Sequence, residues 1–263
     1  CKNNKVRAMA GLNPSLRDWN GRAVWLIGAS SGIGLACAKA LHRAGARVSI
    51  TGRRTEPLSA FVAEHPGSLG VAADVTERAS VLAAATYVRE RHGLETIIYC
   101  AGHYHPMRAQ SFDLADCEQH LDINYRGVLY VLDAVLPYLK PGAHISLVSS
   151  VAGHRGLPRS LAYGPTKAAL SHLGDVLYLD LRPQGIGVSV VHPGFVATPL
   201  TAQNDFEMPA LMTPEAAAAA MLEGWAQGEF DIHFPKRFTR PLRFLRHLPD
   251  RLYFALVRRF TGL

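Results

Sequence analysis

The run from Ala23 to Gly45 restricts the fold more than any other stretch of the chain. Five apolar residues, Ala23–Ile27, lead into Gly28-Ala-Ser-Ser-Gly-Ile-Gly34 and then into L-A-C-A-K-A-L-H-R-A-G. The pattern reads as strand, glycine-rich turn, and helix closed by a glycine. Such a turn lets backbone amides and a helix N-terminus approach a pyrophosphate, which side chains at Gly28, Gly32 or Gly34 would obstruct. The turn residues Gly28, Ser30, Ser31, Gly32, Ile33 and Gly34 are therefore candidate nucleotide contacts. Their spacing is G-x-x-x-G-x-G rather than the generic G-x-G-x-x-G.

Further strands are predicted over residues 46–51, 68–73, 96–99, 144–148 and 230–234. Helices are predicted over 57–64, 76–91, 125–139 and 214–225. This alternation predicts a doubly wound parallel α/β sheet with helices on both faces and its ligand at the strands' carboxyl ends. The length of 263 residues suits one such domain, with no spacer or internal repeat. The expected division is a polar lead over 1–20, a body over 21–234 and an extension over 235–263.

The net charge of +7 raises the question of nucleic acid, and its distribution answers it. Residues 235–263 hold 8 of the 28 basic side chains and 1 of the 21 acidic ones, which leaves 20 of each elsewhere. No basic face for tracking phosphates is expected across the body, and so no nucleic-acid partner. The four cysteines show neither paired spacing nor C-x-x-C, which argues against a disulfide framework or zinc site and suits a reducing, cytoplasmic setting. No stretch approaches the ~18 apolar residues of a spanning helix, and the start C-K-N-N-K-V-R lacks the apolar centre of a signal peptide. A start-site remnant ahead of Met9 is one reading of that segment.

The second strand runs into Gly52-Arg53-Arg54, about where NAD-preferring sites place an acidic residue for the ribose hydroxyls. Two guanidiniums there suit a ribose 2′-phosphate through forked, charge-assisted hydrogen bonds, so NADP(H) is expected over NAD(H). Asp74 and Val75 follow the third strand, where a carboxylate could meet the adenine amino group. Cys100-Ala101-Gly102 follows the fourth, where small residues at Ala101 and Gly102 let the chain pass close to a cofactor. His103 and His105 invite a metal reading, but alternate residues in an extended loop diverge and no third ligand is evident. No metal is expected, and the loop is read as a border of the substrate cleft.

Tyr163 and Lys167 stand four residues apart, so on a helix they share a face and the ammonium can favour the phenolate. Ser150 follows the apolar run 144–148, where its hydroxyl can point into a cleft. Asn124 lies in L-D-I-N-Y-R-G, at or near a helix start.

Taken in order, GASSGIG, Asp74-Val75, Cys100-Ala101-Gly102, Asn124, Ser150, Tyr163, Lys167 and H-P-G-F-V-A-T at 192–198 resemble the short-chain dehydrogenase/reductase family over roughly residues 21–234. The resemblance implies a Rossmann-like fold and an oxidoreductase interconverting a ketone and a secondary alcohol. Tyr163 would then be the general acid or base, with Lys167 lowering its pKa and binding the nicotinamide ribose. Ser150 would hydrogen-bond the substrate oxygen, while Asn124 would hold a helix irregularity and a water serving Lys167. Pro193, Gly194, Val196 and Thr198 would meet the nicotinamide end, and a homodimer or homotetramer is implied. Two departures stand out: Ile27 replaces a frequent Thr, and Tyr99-Cys100 replaces a usual Asn pair, a change expected to loosen strand-to-strand bonding.

In this fold residues 195–212 often form a movable lid, and Phe206, Met208, Leu211 and Met212 would favour an apolar substrate such as a 3-oxoacyl, steroid-like or xenobiotic carbonyl. The basic tail carries Leu252, Leu256 and Phe260 at helical spacing among arginines. It could lie on an anionic membrane surface, cover the cleft or pack on another subunit. A competing class is a non-catalytic NADP-binding protein, against which the intact Ser150, Tyr163 and Lys167 argue.

Overall fold

The structure, a computed structural model, describes residues 11–261. The segment ahead of Met9 lies outside them.

Every strand of the sheet is parallel. In chain order they are β1 (Ala23–Ile27), β2 (Arg47–Gly52), β3 (Leu69–Ala72), β4 (Thr96–Tyr99), β5 (His144–Val148), β6 (Gly187–Pro193) and β7 (Asp231–Phe234). Their spatial order is β3-β2-β1-β4-β5-β6-β7, so the winding reverses between β1 and β4. That reversal opens a crevice at the carboxyl ends of the two strands, the place where this architecture binds ligands.

Both faces of the sheet are covered, which is why β1, β5 and β6 are buried at every residue rather than at alternate ones. On one face Val24 and Leu26 join Cys37 and Leu41 of α1 (Gly32–Arg43) and Met221 and Trp225 of α7 (Pro214–Ala226). Leu58 and Phe61 of α2 (Thr55–Glu64) complete that layer. On the other face Trp25 and Ile27 pack with Val88 of α3 (Arg78–Arg91), Val131 of α5 (Gly127–Val135), and Leu170 and Leu177 of α6 (Tyr163–Leu181). Fully burying each such side chain contributes about 1.5–3 kcal/mol.

Three differences from the sequence reading have clear physical causes. The helix predicted from residue 125 begins earlier, as α4 (Leu114–Leu121), because Asp113 caps it by accepting from the Asp116 amide. A turn of π-helix, Asp122–Arg126, then joins α4 to α5. Residues 11–20, read as a polar lead, pack on the body. Asn13 exchanges two hydrogen bonds with the backbone of Val188, at 2.7 and 3.0 Å, continuing the sheet edge where β7 has not yet begun. Leu16 and Trp19 are buried, with the Trp19 ring edge-on to Trp225.

The third difference concerns Tyr99. Its hydroxyl donates to the Ile123 carbonyl at 2.6 Å and lies where a side chain at Gly127 would stand, tying β4 to the π-helical turn. The Cys100 amide still donates to the Ile27 carbonyl at 2.8 Å. The strands are therefore not loosened by the departure from an Asn pair.

The extension forms α8 (Lys236–Leu245) and α9 (Asp250–Thr261), and both pack on the body. Arg243 pairs with Asp231 at 2.8 Å, and Thr239 and His233 share a hydrogen bond. Arg155 bonds the Leu248 carbonyl and the Asp250 carboxylate, and its guanidinium lies 3.9 Å above the Tyr253 ring. Outward, Phe244, Leu252, Phe254 and Phe260 are exposed. No helix among the described residues is long and apolar enough to cross a membrane.

Candidate active site

A cleft of about 790 Å³ runs along the carboxyl ends of the strands from Arg53 and Arg54 to Ser150, Tyr163 and Lys167. All the catalytic and cofactor candidates named from the sequence line it except Asn124, which is buried just behind its wall, whereas Phe206, Met208, Leu211 and Met212, expected to favour an apolar substrate, are not among its lining residues.

The nucleotide half is built from backbone. Gly28 has φ +81°, and a Cβ there would stand 2.3 Å from the Ala101 amide nitrogen. Gly34 packs so closely on the turn that a Cβ would lie 2.6 Å from the Gly28 carbonyl. This close packing delivers the start of α1 to the cleft, where Ser31 makes no side-chain cap, so the first-turn amides keep their donors for an anion. Arg53 and Arg54 are exposed at the same end. Asp74 accepts from both the amide and the hydroxyl of Thr76, which fixes its carboxylate beside Val75. These features fit a dinucleotide: amides for its pyrophosphate, cations for its ribose end.

The carbonyl half is built from side chains. Ser150 extends beyond β5, and Tyr163 and Lys167 occupy the first two turns of α6. Burial pushes the Tyr163 phenol up to about 12, opposed by its hydrogen bond with Ser150. Burial also brings Lys167 down to about 8. Its Nζ donates to the Val148 carbonyl at 2.9 Å and lies 5.6 Å from the centre of the Tyr163 ring. Desolvation, which disfavours both charged forms, therefore dominates at the phenol and at the ammonium alike, and only the Ser150 hydrogen bond opposes it at Tyr163.

Asn124 sits in the π-helical turn and crosslinks three segments. Its Oδ1 accepts from the His103 amide at 2.7 Å, and its Nδ2 donates to the His103 carbonyl and to Thr166 Oγ1 at 2.9 and 3.0 Å. With these bonds the amide is largely committed to protein partners. Gly102 separates Asn124 from Lys167, each with a polar atom 3.7 Å from where its Cβ would be. Val196 is buried and pairs with Met212, and Thr198 abuts Gly32. Gly194 lies against Phe238 of α8, placing the extension next to the Pro193-Gly194 turn.

Sequence reasoning missed a second set of residues at this end. Beside His103 and His105 the fold brings Asp116 and His120, so that one carboxylate meets His103 at 2.6 Å, His105 at 3.1 Å and His120 at 3.6 Å. His120 spends Nδ1 on the Asp116 carbonyl, and its Nε2 accepts from the His105 amide, so both ring nitrogens are engaged in a hydrogen-bonded hub. The hub fixes Tyr104, whose ring stands edge-on to Tyr163 at 4.8 Å and whose hydroxyl donates to Asn204 at 2.8 Å. Gln203 also bonds the Tyr104 carbonyl, and Arg159 pairs with Asp205, so residues 199–206 are latched over the carbonyl end. The one sequence signal for the hub was Asp116 and His120 at i, i+4 spacing.

A doubly wound parallel sheet with a glycine turn at its switch point and a hydroxyl, phenol and ammonium meeting in the same cleft defines a dinucleotide-dependent oxidoreductase. The short chain dehydrogenase family model matches residues 22–208. An uncharacterized oxidoreductase of Myxococcus xanthus is 36% identical over 90% of this chain and 97% of its own length. One from Staphylococcus haemolyticus is 30% identical over 81% and 94%. Among solved structures, a dehydrogenase/reductase from Sinorhizobium meliloti superposes with a TM-score of 0.74 at 27% identity, covering 84% of this chain and 95% of that one. The chain belongs to the short-chain dehydrogenase/reductase family, whose members bind NAD(P)(H).

Proposed function

We propose that this protein is an NADP(H)-dependent enzyme interconverting a fairly apolar ketone and its secondary alcohol. The observation that carries the reading is the meeting of Ser150, Tyr163 and Lys167 at one end of a cleft whose other end presents Arg53 and Arg54. When bound, the nicotinamide nucleotide supplies or accepts the hydride. The residues of the chain do the rest. The first-turn amides of α1 would hold the pyrophosphate, and Arg53 and Arg54 would grip the 2′-phosphate in the forked geometry lysine lacks. Tyr163 would pass its hydroxyl proton to the carbonyl oxygen during reduction and take it back during oxidation. Ser150 would donate a hydrogen bond to the same oxygen as negative charge grows there. Lys167, poised near neutrality by burial, would hold the ribose hydroxyls and return a proton to Tyr163. Asn124 keeps Thr166, one residue before Lys167, fixed to the His103 loop.

Substrate class follows from the mouth of the cleft. Tyr104, edge-on to Tyr163, and Leu200 supply apolar contact there, with Gln203 as a polar neighbour. Exposed Leu129 and Leu136 near α5, and Val176 and Leu179 on α6, support self-association. For the extension we favour packing on the body, because Arg155, Arg243 and Tyr253 all bond across that contact. A panel of ketones and alcohols followed by NADPH absorbance, with Tyr163→Phe as background, tests the assignment. The expected result is turnover of apolar ketones that the variant lacks; no turnover across the panel, or equal rates in the variant, contradicts it.

A further inference from the structure

A second cavity of about 590 Å³ lies behind α6, between β6, β7 and α8. Along its wall runs a line of hydrogen bonds that the oxidoreductase reading does not use. His192 Nδ1 meets Asp231 Oδ1 at 2.8 Å, and His192 Nε2 meets Ser171 Oγ at 2.9 Å. Asp231 is ionised, since its hydrogen bond with His192 and the Arg243 guanidinium hold its carboxyl down to about 2 despite burial. The carboxylate therefore accepts a hydrogen bond from Nδ1–H, and in that tautomer Nε2 is an acceptor in a ring only 6% exposed. A buried acceptor needs a donor, and Ser171 is the hydroxyl that stands there. Ser171 Oγ also lies 3.1 Å from the Lys167 carbonyl and 3.0 Å from Ser149 Oγ, but the Ser149 hydroxyl is that carbonyl's nearer donor at 2.7 Å, which leaves the Ser171 proton to His192. The result is an oriented serine, a base and an ionised carboxylate in the order that activates a nucleophile.

Two further features complete a site. Ser171 lines the cavity, and so does His154, whose ring lies 4.5 Å from His192. His154 Nε2 is buried with no hydrogen-bond partner among the described residues. Burial holds that imidazole neutral, with its pKa down to about 4, so with its proton on Nε2 it is an unspent donor. A donor of this kind in the cavity that Ser171 lines is what a developing oxyanion requires.

We propose that Ser171, His192 and Asp231 form a second catalytic site, which hydrolyses small carboxylic esters. Ser171 Oγ attacks the acyl carbon as its proton passes to His192 Nε2, forming a tetrahedral oxyanion beside His154. The ester C–O bond then breaks, and His192 returns the proton to the departing alkoxide. A water molecule attacks the acylated serine, His192 takes its proton and gives it to Ser171 Oγ, and the carboxylic acid leaves. No electron transfer is involved, and the only co-reactant is water. The apolar part of the cavity, Leu12, Val190 and Phe230, fits a short acyl chain.

The test uses the full chain with p-nitrophenyl acetate, and in parallel a fluorophosphonate probe with peptide mapping by mass spectrometry. The expected result is nitrophenolate release at least tenfold faster than for Ser171→Ala, with the phosphonate on Ser171. Asp231→Asn is expected to slow labelling of Ser171 by at least tenfold. Equal release from Ser171→Ala, a probe found only on other residues, or unchanged labelling in Asp231→Asn would each overturn the proposal. The peptide map needs no variant, so it decides the matter even if a substitution impairs folding.

Discussion

The two ends of the main cleft are held in place by different means. At the nucleotide end the shape is set by main chain: glycines at Gly28, Gly32 and Gly34 that admit close backbone approach, and an uncapped helix start. At the carbonyl end the shape is set by side chains that reach across the sequence, from Tyr104 to Asn204, from Asn124 to Thr166 and from Asp116 to His103. The first end tolerates almost no added volume. The second can be retuned one hydrogen bond at a time, which is how a shared cofactor site can serve different substrates.

The contrast can be broken most forcefully at Gly28. Gly28→Ala combines a left-handed backbone with a Cβ driven into the Ala101 amide, and it should cost about 3 kcal/mol or more in urea unfolding. A loss under about 1 kcal/mol would mean the turn yields, and the nucleotide end is not rigid. Next in size, Arg53→Ala with Arg54→Ala should weaken NADPH binding by ~30-fold, about 2 kcal/mol, while NADH changes little. Equal losses for the two nucleotides would count against 2′-phosphate recognition.

Smaller effects are expected at the carbonyl end. Asp116→Asn removes the charge that gathers His103 and His105, and should raise KM by ~5–10-fold with NADPH affinity retained. A parallel loss of NADPH affinity would show the two ends to be mechanically joined. The same hub gives the smallest and most local effect, with pH. Burial holds the His120 pKa below the ordinary imidazole value. As pH falls through that ordinary range the unfolded segment binds a proton the folded one refuses, so stability present at neutral pH is lost on acidification. Hydrogen exchange should therefore quicken at residues 103–107 before residues 28–34, and simultaneous loosening would contradict the contrast.

The same difference explains what could be read in advance. The winding, the glycine turn and six of the seven strands were legible as local patterns, whereas β6, whose apolar run is interrupted by Ser189 and His192, was not. Ser150, Tyr163 and Lys167 were legible through the ordered motifs of the family the chain resembles, with Tyr163 and Lys167 four residues apart on one helix face. Asp116 and His120 were not, because α4 is polar enough to hide as a loop and its partners lie more than ten residues away. Ser171, His192 and Asp231 come from three separate elements, and nothing in their spacing joins them. The phenol was misjudged in energy rather than in place. Sequence shows which charges are near, whereas desolvation depends on how completely the chain closes around them.

The central claim is that binding and proton transfer are divided between the two ends, with Tyr163 the proton donor. Its most direct test is to measure NADPH Kd and single-turnover reduction on one preparation of Tyr163→Phe. The account expects Kd within about threefold of the native protein and a hydride-transfer rate reduced at least ~1000-fold. A rate within tenfold of native, at unchanged Kd, would contradict it.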